Sequence, residues 1–383
     1  MDLQRRLLGQ EIMIAAARRA WENFRGVGDA AVTVPPLDGA LRPNPGLEEA
    51  RLVASLEAPD CIVVHDGAAY VTSGTELLRL GEGSGTDTVA GFESAVTALA
   101  VSPAGHFAVG LENGTVAVTG GRHNGRRIDR LGGAPLMCAT ALMFEGEDAL
   151  VVAQGSLHRP PSQWKHDLME RRADGAVWRV HLKDGRADKL AGDLAWPCGL
   201  AAANGAIAVS ESWKHRIVAI GGGGRPRVVL WDLPGYPARL TQASAGGFWL
   251  AVFAPRNQLI EFVQREPVFL GRMMAEVDPD WWAAPSLTPS DTFLVPLQGG
   301  AQKHLGMLKP WSPTFSYGLV VRLDGNFRAV SSLHSRADGR RHGVTACAEL
   351  GEEVLIASRG GGAILAAPVE AAHSVVRAME AAQ

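Results

Sequence analysis

Cysteine is scarce in this chain: four in 383 residues, at wide intervals. That excludes a disulfide framework, which packs its cysteines densely into short chains. An excess of one charge is also missing, since 37 basic residues face 40 acidic ones for a net charge of −3. A nucleic-acid partner calls for a basic face, and Arg5-Arg6, Arg126-Arg127 and Arg340-Arg341 are isolated pairs rather than a phosphate track. Long hydrophobic runs are absent too. No stretch approaches the roughly 20 apolar residues of a membrane span. The first apolar run is broken by Gln10 and Glu11 and followed by Arg18 and Arg19, unlike a secretory signal. The expectation is a soluble cytoplasmic protein without nucleic-acid partners.

What the chain has in quantity is glycine, 45 residues, and apolar side chains, 46% of the total. The glycines are scattered, which suits many turns between short strands. Residues 2–24 read as a helix, with Leu3, Leu7, Ile14 and Trp21 near helical spacing and arginines between them. Such a helix packs on the domain body or a partner subunit, or lies on a membrane surface as basic amphipathic segments do. Residues 28–48 carry four prolines and read as an extended lead-in, so 1–49 forms an N-terminal unit. Residues 368–383 read as a C-terminal helix.

Between them one unit recurs: an alternating strand, a tight turn, a second apolar strand. Its copies begin at Asp60, Thr97, Ala139, Cys198, Ala238 and Thr345, separated by 37, 42, 59, 40 and 107 residues. Asp66-Gly67 and Asn204-Gly205 sit where tight hairpin turns are needed. A base period near 40 with four short strands per unit is the pattern of propeller blades. The expected fold is all-β: a six-bladed β-propeller over 50–367, with the strand at 51–56 closing the last blade and helices at both ends.

The two long gaps are read as insertions, 154–175 and 255–316. Both follow the second strand of a blade, which returns the chain to the face where inner strands begin. They are expected to form a lid over that face. The lids hold His158, Trp164 and His166, then Trp281, Trp282, His304 and Trp311; Trp213, His215 and His342 lie at neighbouring blade ends. Aromatic walls with a few polar groups suit a bulky, partly apolar ligand.

Two blades carry a resemblance. Trp196-Pro197-Cys198-Gly199-Leu200 leading to Val209-Ser210-Glu211-Ser212, and Leu233-Pro234-Gly235-Tyr236-Pro237 leading to Gly246-Gly247-Phe248-Trp249, are similar to strictosidine-synthase-like motifs. Ala58-Pro59-Asp60 resembles the opening of that family's first blade, and Arg256–Met274 resembles the insertion of the adipocyte plasma-membrane-associated protein branch. The resemblance covers about residues 50–367. It implies relatives among gluconolactonases of the regucalcin type and paraoxonases, all six-bladed, and small-molecule chemistry in the channel.

The departures are equally informative. The resemblance implies a cation held by a first-blade carboxylate, amides from blades 3 and 4, and Asp or Asp-Asn from blade 5. Here those positions fall on Asp60, Ala139 followed by Thr140, Cys198, and Ala238-Arg239. One carboxylate beside an arginine is a poor site for a hard cation, which needs several oxygens. The glutamate that handles the amine in strictosidine synthase falls on Thr345, so that activity is not expected. No metal and no cofactor is expected.

Asp60 and Cys198 remain as ring residues capable of proton or nucleophile chemistry. Asp60, desolvated, would have a raised pKa and serve as a general base, or it caps backbone amides as a structural carboxylate. Cys198 is a nucleophile if a base lowers its pKa, or a small hydrophobe. His166 is a further base candidate from the lid. Thr345, Arg239, Trp164, Trp213, His158, His304, Trp311 and His342 are the candidate ligand contacts. Cys61, Cys138 and Cys347 point in different directions and form no convergent thiol site. Two functions stay open: a metal-independent hydrolase, condensing enzyme or lyase, or a non-catalytic binding or scaffold propeller.

Overall fold

The computed structural model describes residues 34–372, except 82, 84, 222–224, 290–302, 305–306 and 309–313. It contains six four-stranded antiparallel sheets, each a blade. Their inner strands are Pro59–His65, Val96–Val101, Ala139–Glu145, Pro197–Ala203, Gly235–Gln242 and Val344–Leu350. Neighbouring inner strands touch all round, and the sixth touches the first, so the ring is closed. Blade 6 takes its outermost strand, Arg51–Ser55, from the N-terminal side, where it pairs with Ala363–Pro368. This closure joins the two ends of the ring by backbone hydrogen bonds.

Blade strands read as continuous apolar runs because both sheet faces are covered by neighbouring blades. Leu150-Val151-Val152-Ala153 shows the alternation. Leu150 and Val152 pack towards blade 2 with Ala98, Val116 and Val118, whereas Val151 and Ala153 pack towards blade 4 with Leu200 and Val209. The buried apolar residues form six clusters, one at each interface between blades. The cluster between blades 5 and 6 is extended by insertion residues Leu168, Ile260 and Trp282. Turn chemistry follows the expected pairs: Asp66 (φ 46°) with Gly67 (φ 72°), and Asn204 (φ 47°) with Gly205 (φ 79°), take the left-handed conformations of a tight hairpin.

The first insertion leaves blade 3 after Gln154 and returns at Gly175, and contains helix α1, Trp164–Met169. The second leaves blade 5 after Pro255 and returns at Leu319, with helices α2, Gln258–Val263, and α3, Pro267–Glu276, and a short hairpin of Lys303–His304 with Met307–Leu308. The helix expected over 2–24 lies outside the described residues. So does nearly all of the C-terminal helix: Ala363–Pro368 is strand and Val369–Ala372 a 3-10 turn. No described helix is long and apolar enough to cross a membrane.

Each inner strand has a register irregularity within its first residues. They fall between Pro59 and Ile62, Val96 and Ala98, Ala139 and Ala141, Pro197 and Gly199, Pro237 and Leu240, and Val344 and Ala346. A bulge adds one residue and re-aims its side chain. Repeated six times, it builds a ring at one mouth of the channel.

Candidate ligand pocket at the channel mouth

Above the ring lies a cavity of about 340 Å³. Its floor includes Asp60, Thr97, Thr140, Cys198, Ala238, Arg239 and Thr345, all at bulged positions. The third-blade position is thus Thr140, correcting the assignment to Ala139. Ala139 is fully buried against blade 2, because the extra residue comes one position later. The repeated triplets Thr97-Ala98-Leu99 and Thr140-Ala141-Leu142 carry this register in the sequence.

The ring hydroxyls clasp the blades together. Thr97 Oγ1 donates to the Ala139 carbonyl (2.8 Å), Thr140 Oγ1 to that of Pro197, and Thr345 Oγ1 to that of Asp60 (2.8 Å). Ser210 Oγ donates to the Ala238 carbonyl at 2.5 Å. Thr345, a candidate ligand contact, lines the cavity while its hydroxyl hydrogen is committed to blade 1.

Arg239 reaches across the channel from blade 5. Its Nη2 donates to Asp60 Oδ2 (2.7 Å) and the Thr97 carbonyl (2.7 Å), and its Nη1 to the carbonyls of Asp60 (3.2 Å) and Thr345 (3.4 Å). Arg359, just past the second strand of blade 6, donates to Asp60 Oδ1 at 3.1 Å. Burial by itself would raise the Asp60 pKa, but the Arg239 and Arg359 charges and hydrogen bonds hold it below the usual aspartate value. The expectation of a raised pKa at Asp60 is corrected accordingly. Asp60 is an ionised, doubly paired group and a weak proton acceptor.

The same contacts decide the question of a cation. The oxygens that could meet one here are the Asp60 carboxylate and the carbonyls of Asp60, Thr97 and Thr345, and the Arg239 guanidinium already engages all four groups. A tethered positive charge stands where a divalent ion would need to be, and the two would repel. Among the described residues, no three His, Cys, Asp or Glu side chains converge elsewhere into a metal-binding group. The residues present do not fit the cation site that the resemblance implies.

Cys198 lines the cavity, but burial raises its thiol pKa, with the Arg239 charge opposing, so the reactive thiolate is disfavoured. His166 does not line it. Its ring packs edge-on against Trp282 at 4.7 Å, and burial lowers its pKa. His158 is half exposed beside Asp174 at 3.5 Å. His342 is fully buried, with Nδ1 2.7 Å from Ser316 Oγ and Nε2 2.7 Å from the Arg336 carbonyl. His304 falls on the short hairpin of the second insertion, and Trp311 lies outside the described residues.

The wall is aromatic. Trp196 stacks on Trp213 (centroids 5.1 Å, 26°), and Trp164 lies 6.2 Å from Trp213 and 5.5 Å from Phe253. Trp213 Nε1 donates to Oδ1 of the buried Asp167 carboxylate at 2.8 Å, which fixes the indole plane. Pro161, Ser162 and Trp164 of the first insertion and Leu287 of the second line this same cavity. Among the lining residues that sequence reasoning missed are Trp196, Phe253, Leu287, Glu112 and Arg359. Glu112 and Arg359 each follow directly on a blade's second strand, where a charge closing an apolar run is a readable signal. Glu112 takes the Ser162 N–H on both oxygens, at 3.1 and 3.2 Å.

No described protein family matches the sequence, and neither does any curated protein. Solved structures do match. A gluconolactonase from Xanthomonas campestris superposes with TM-score 0.51 at 13% identity, over 88% of this chain and 98% of its own. The likeness is one of fold. A second structure, provisionally assigned as a gluconolactonase, gives TM-score 0.50 at 10% identity over 84% of this chain and 91% of its own. A calcium-binding regucalcin from Agrobacterium tumefaciens gives 0.47 at 12% identity over 83% of this chain and 92% of its own. This chain therefore has the six-bladed propeller fold of the gluconolactonases.

Proposed function

We propose that the protein is a small-molecule-binding propeller. Its ligand enters the channel mouth beneath the two insertions and rests on a floor sealed by Arg239. The observation that carries this reading is the guanidinium of Arg239, bonded to Asp60 and to carbonyls of three blades. It neutralises the ring's one carboxylate, and the other ring groups are hydroxyls spent on neighbouring blades or a protonated thiol. What is left is a recess of about 340 Å³ with an aromatic wall, within the size range of ligand pockets. Thermal-shift screening of a metabolite library, with bound compounds recovered and weighed by mass spectrometry after long incubation, tests it. Recovery of unchanged ligand is expected; turnover through ring residues would overturn the reading.

A second reading is a lactone hydrolase, favoured by the fold shared with gluconolactonases. On this reading Glu112, at the rim, is the carboxylate that activates water. Its test is hydrolysis of a panel of sugar and aromatic lactones. Glu112→Gln should then lower the rate by about 10²-fold or more, the scale of general-base catalysis.

A further inference from the structure

We infer that the ligand is a flat, apolar molecule bearing a carboxylate, with its ring against Trp164, Trp196 and Trp213 and its carboxylate on Arg359. This rests on the channel mouth being a small-molecule site and names the ligand that the site selects.

The floor holds more hydrogen-bond donors than acceptors. A guanidinium offers five N–H groups and no acceptor. Arg239 spends its two Nη groups on Asp60 and on carbonyls, while its Nε is buried without a hydrogen-bond partner among the described residues. Arg359 gives only Nη1, to Asp60 Oδ1, and its side chain is 42% exposed. Asp60, Arg239 and Arg359 together carry one net positive charge. The other charged lining residue, Glu112, lies against Ser162 under the first insertion, and the Ser162 N–H bonds to both its oxygens.

A ligand filling the cavity strips water from Arg359. An apolar or cationic end placed there leaves buried donors unpaired and meets the positive surplus, which is unfavourable. A carboxylate supplies two acceptors in the geometry that matches the guanidinium fork. The rest of the ligand meets Trp196 and Trp213, stacked 5.1 Å apart, with Trp164 and Phe253 beyond. A flat ring packs against such a wall by offset or edge contacts.

The test is calorimetric titration with three probes that share one ring: indole-3-acetate, indole-3-acetamide and tryptamine. Acetate is expected to bind at least tenfold more tightly than the amide, with tryptamine weakest. Arg359→Gln should abolish the preference for the carboxylate and leave amide affinity within about twofold. Arg359→Lys, which keeps the charge and loses the fork, should restore part of it. Melting curves check that both variants fold, which half-exposure of this side chain favours. If the amide or the amine binds as tightly as the acid, or Arg359→Gln leaves the preference intact, the ligand assignment falls and the pocket stands. If none of the three heads binds, the assignment falls, and the small-molecule pocket falls with it.

Discussion

Asp60→Asn separates the paired carboxylate seen here from a lone buried one. An unpaired buried charge would be relieved by the amide, and the variant would melt higher. With the contacts observed, the amide instead leaves Arg239, whose side chain is 14% exposed, without its counter-charge. Breaking a buried ion pair from one side costs about 3–5 kcal/mol. The lower end applies, because Arg239 keeps three backbone carbonyls and Arg359 can turn to solvent. Unfolding entropy of about 2.1 cal/mol/K per residue gives roughly 0.8 kcal/mol/K for the 383-residue chain. Asp60→Asn should therefore lower Tm by about 4 °C at pH 7 in scanning calorimetry. The pH dependence carries a definite sign. The folded pKa lies below the unfolded value, so the carboxylate contributes its full stability above about pH 4 and loses it as pH falls through the folded value. The gap between wild type and variant should be constant from pH 7 to 5 and close in acid. Adding Arg239→Met removes the stranded charge, and the double variant should recover about 2 kcal/mol relative to the sum of the single effects. A variant that melts at or above wild type at pH 7 would refute the pairing.

Three further outcomes are expected. His334 is fully buried between Tyr317 OH (3.2 Å) and Ser332 Oγ (2.8 Å), and burial pushes its pKa down to about 3. It stays neutral when folded and protonates near 6.5 when unfolded, so stability is lost as pH falls below about 6.5. His334→Gln should flatten the stability profile between pH 6 and 4.5 by about 1.4 kcal/mol per pH unit, and an unchanged slope would contradict a neutral buried imidazole. Cys198→Ala should leave ligand affinity within about twofold, and the wild-type thiol should resist iodoacetamide at pH 7.5; rapid labelling there would show a thiolate. A Cβ at Gly360 would lie 1.7 Å from the Leu287 carbonyl, so Gly360→Ala should lift that segment of the second insertion at a cost of about 1–3 kcal/mol. Limited proteolysis near Leu287 reports it, and a cleavage pattern identical to wild type would mean the segment is seated otherwise.

Much of the fold was legible in the sequence because blades are local. Each is a hairpin repeat whose turns and alternation fall within about 40 residues, so the six units and the closing strand at 51–56 could be read from spacing alone. The ring was readable except at blade 3, where the unit was started at Ala139, one residue before Thr140, which takes the bulged position and lines the cavity. The aromatic residues of the lid were visible as a set. Which of them face the ligand was not, because Trp164 and His166 share one short helix, yet one lines the cavity and the other packs on Trp282.

The electrostatics of the site belonged to the tertiary structure. Asp60 is 179 residues from Arg239 and 299 from Arg359 along the chain. No local pattern links those three residues; they meet because closing the ring turns the starts of blades 1 and 5 and the end of a blade 6 strand towards one axis. Burial alone makes Asp60 a candidate base, and the two arginines make it an ionised anchor. The sequence determined that a carboxylate would stand at the channel mouth. Ring closure decided what charge surrounds it, because Coulomb interactions depend on distance in space and not on separation along the chain.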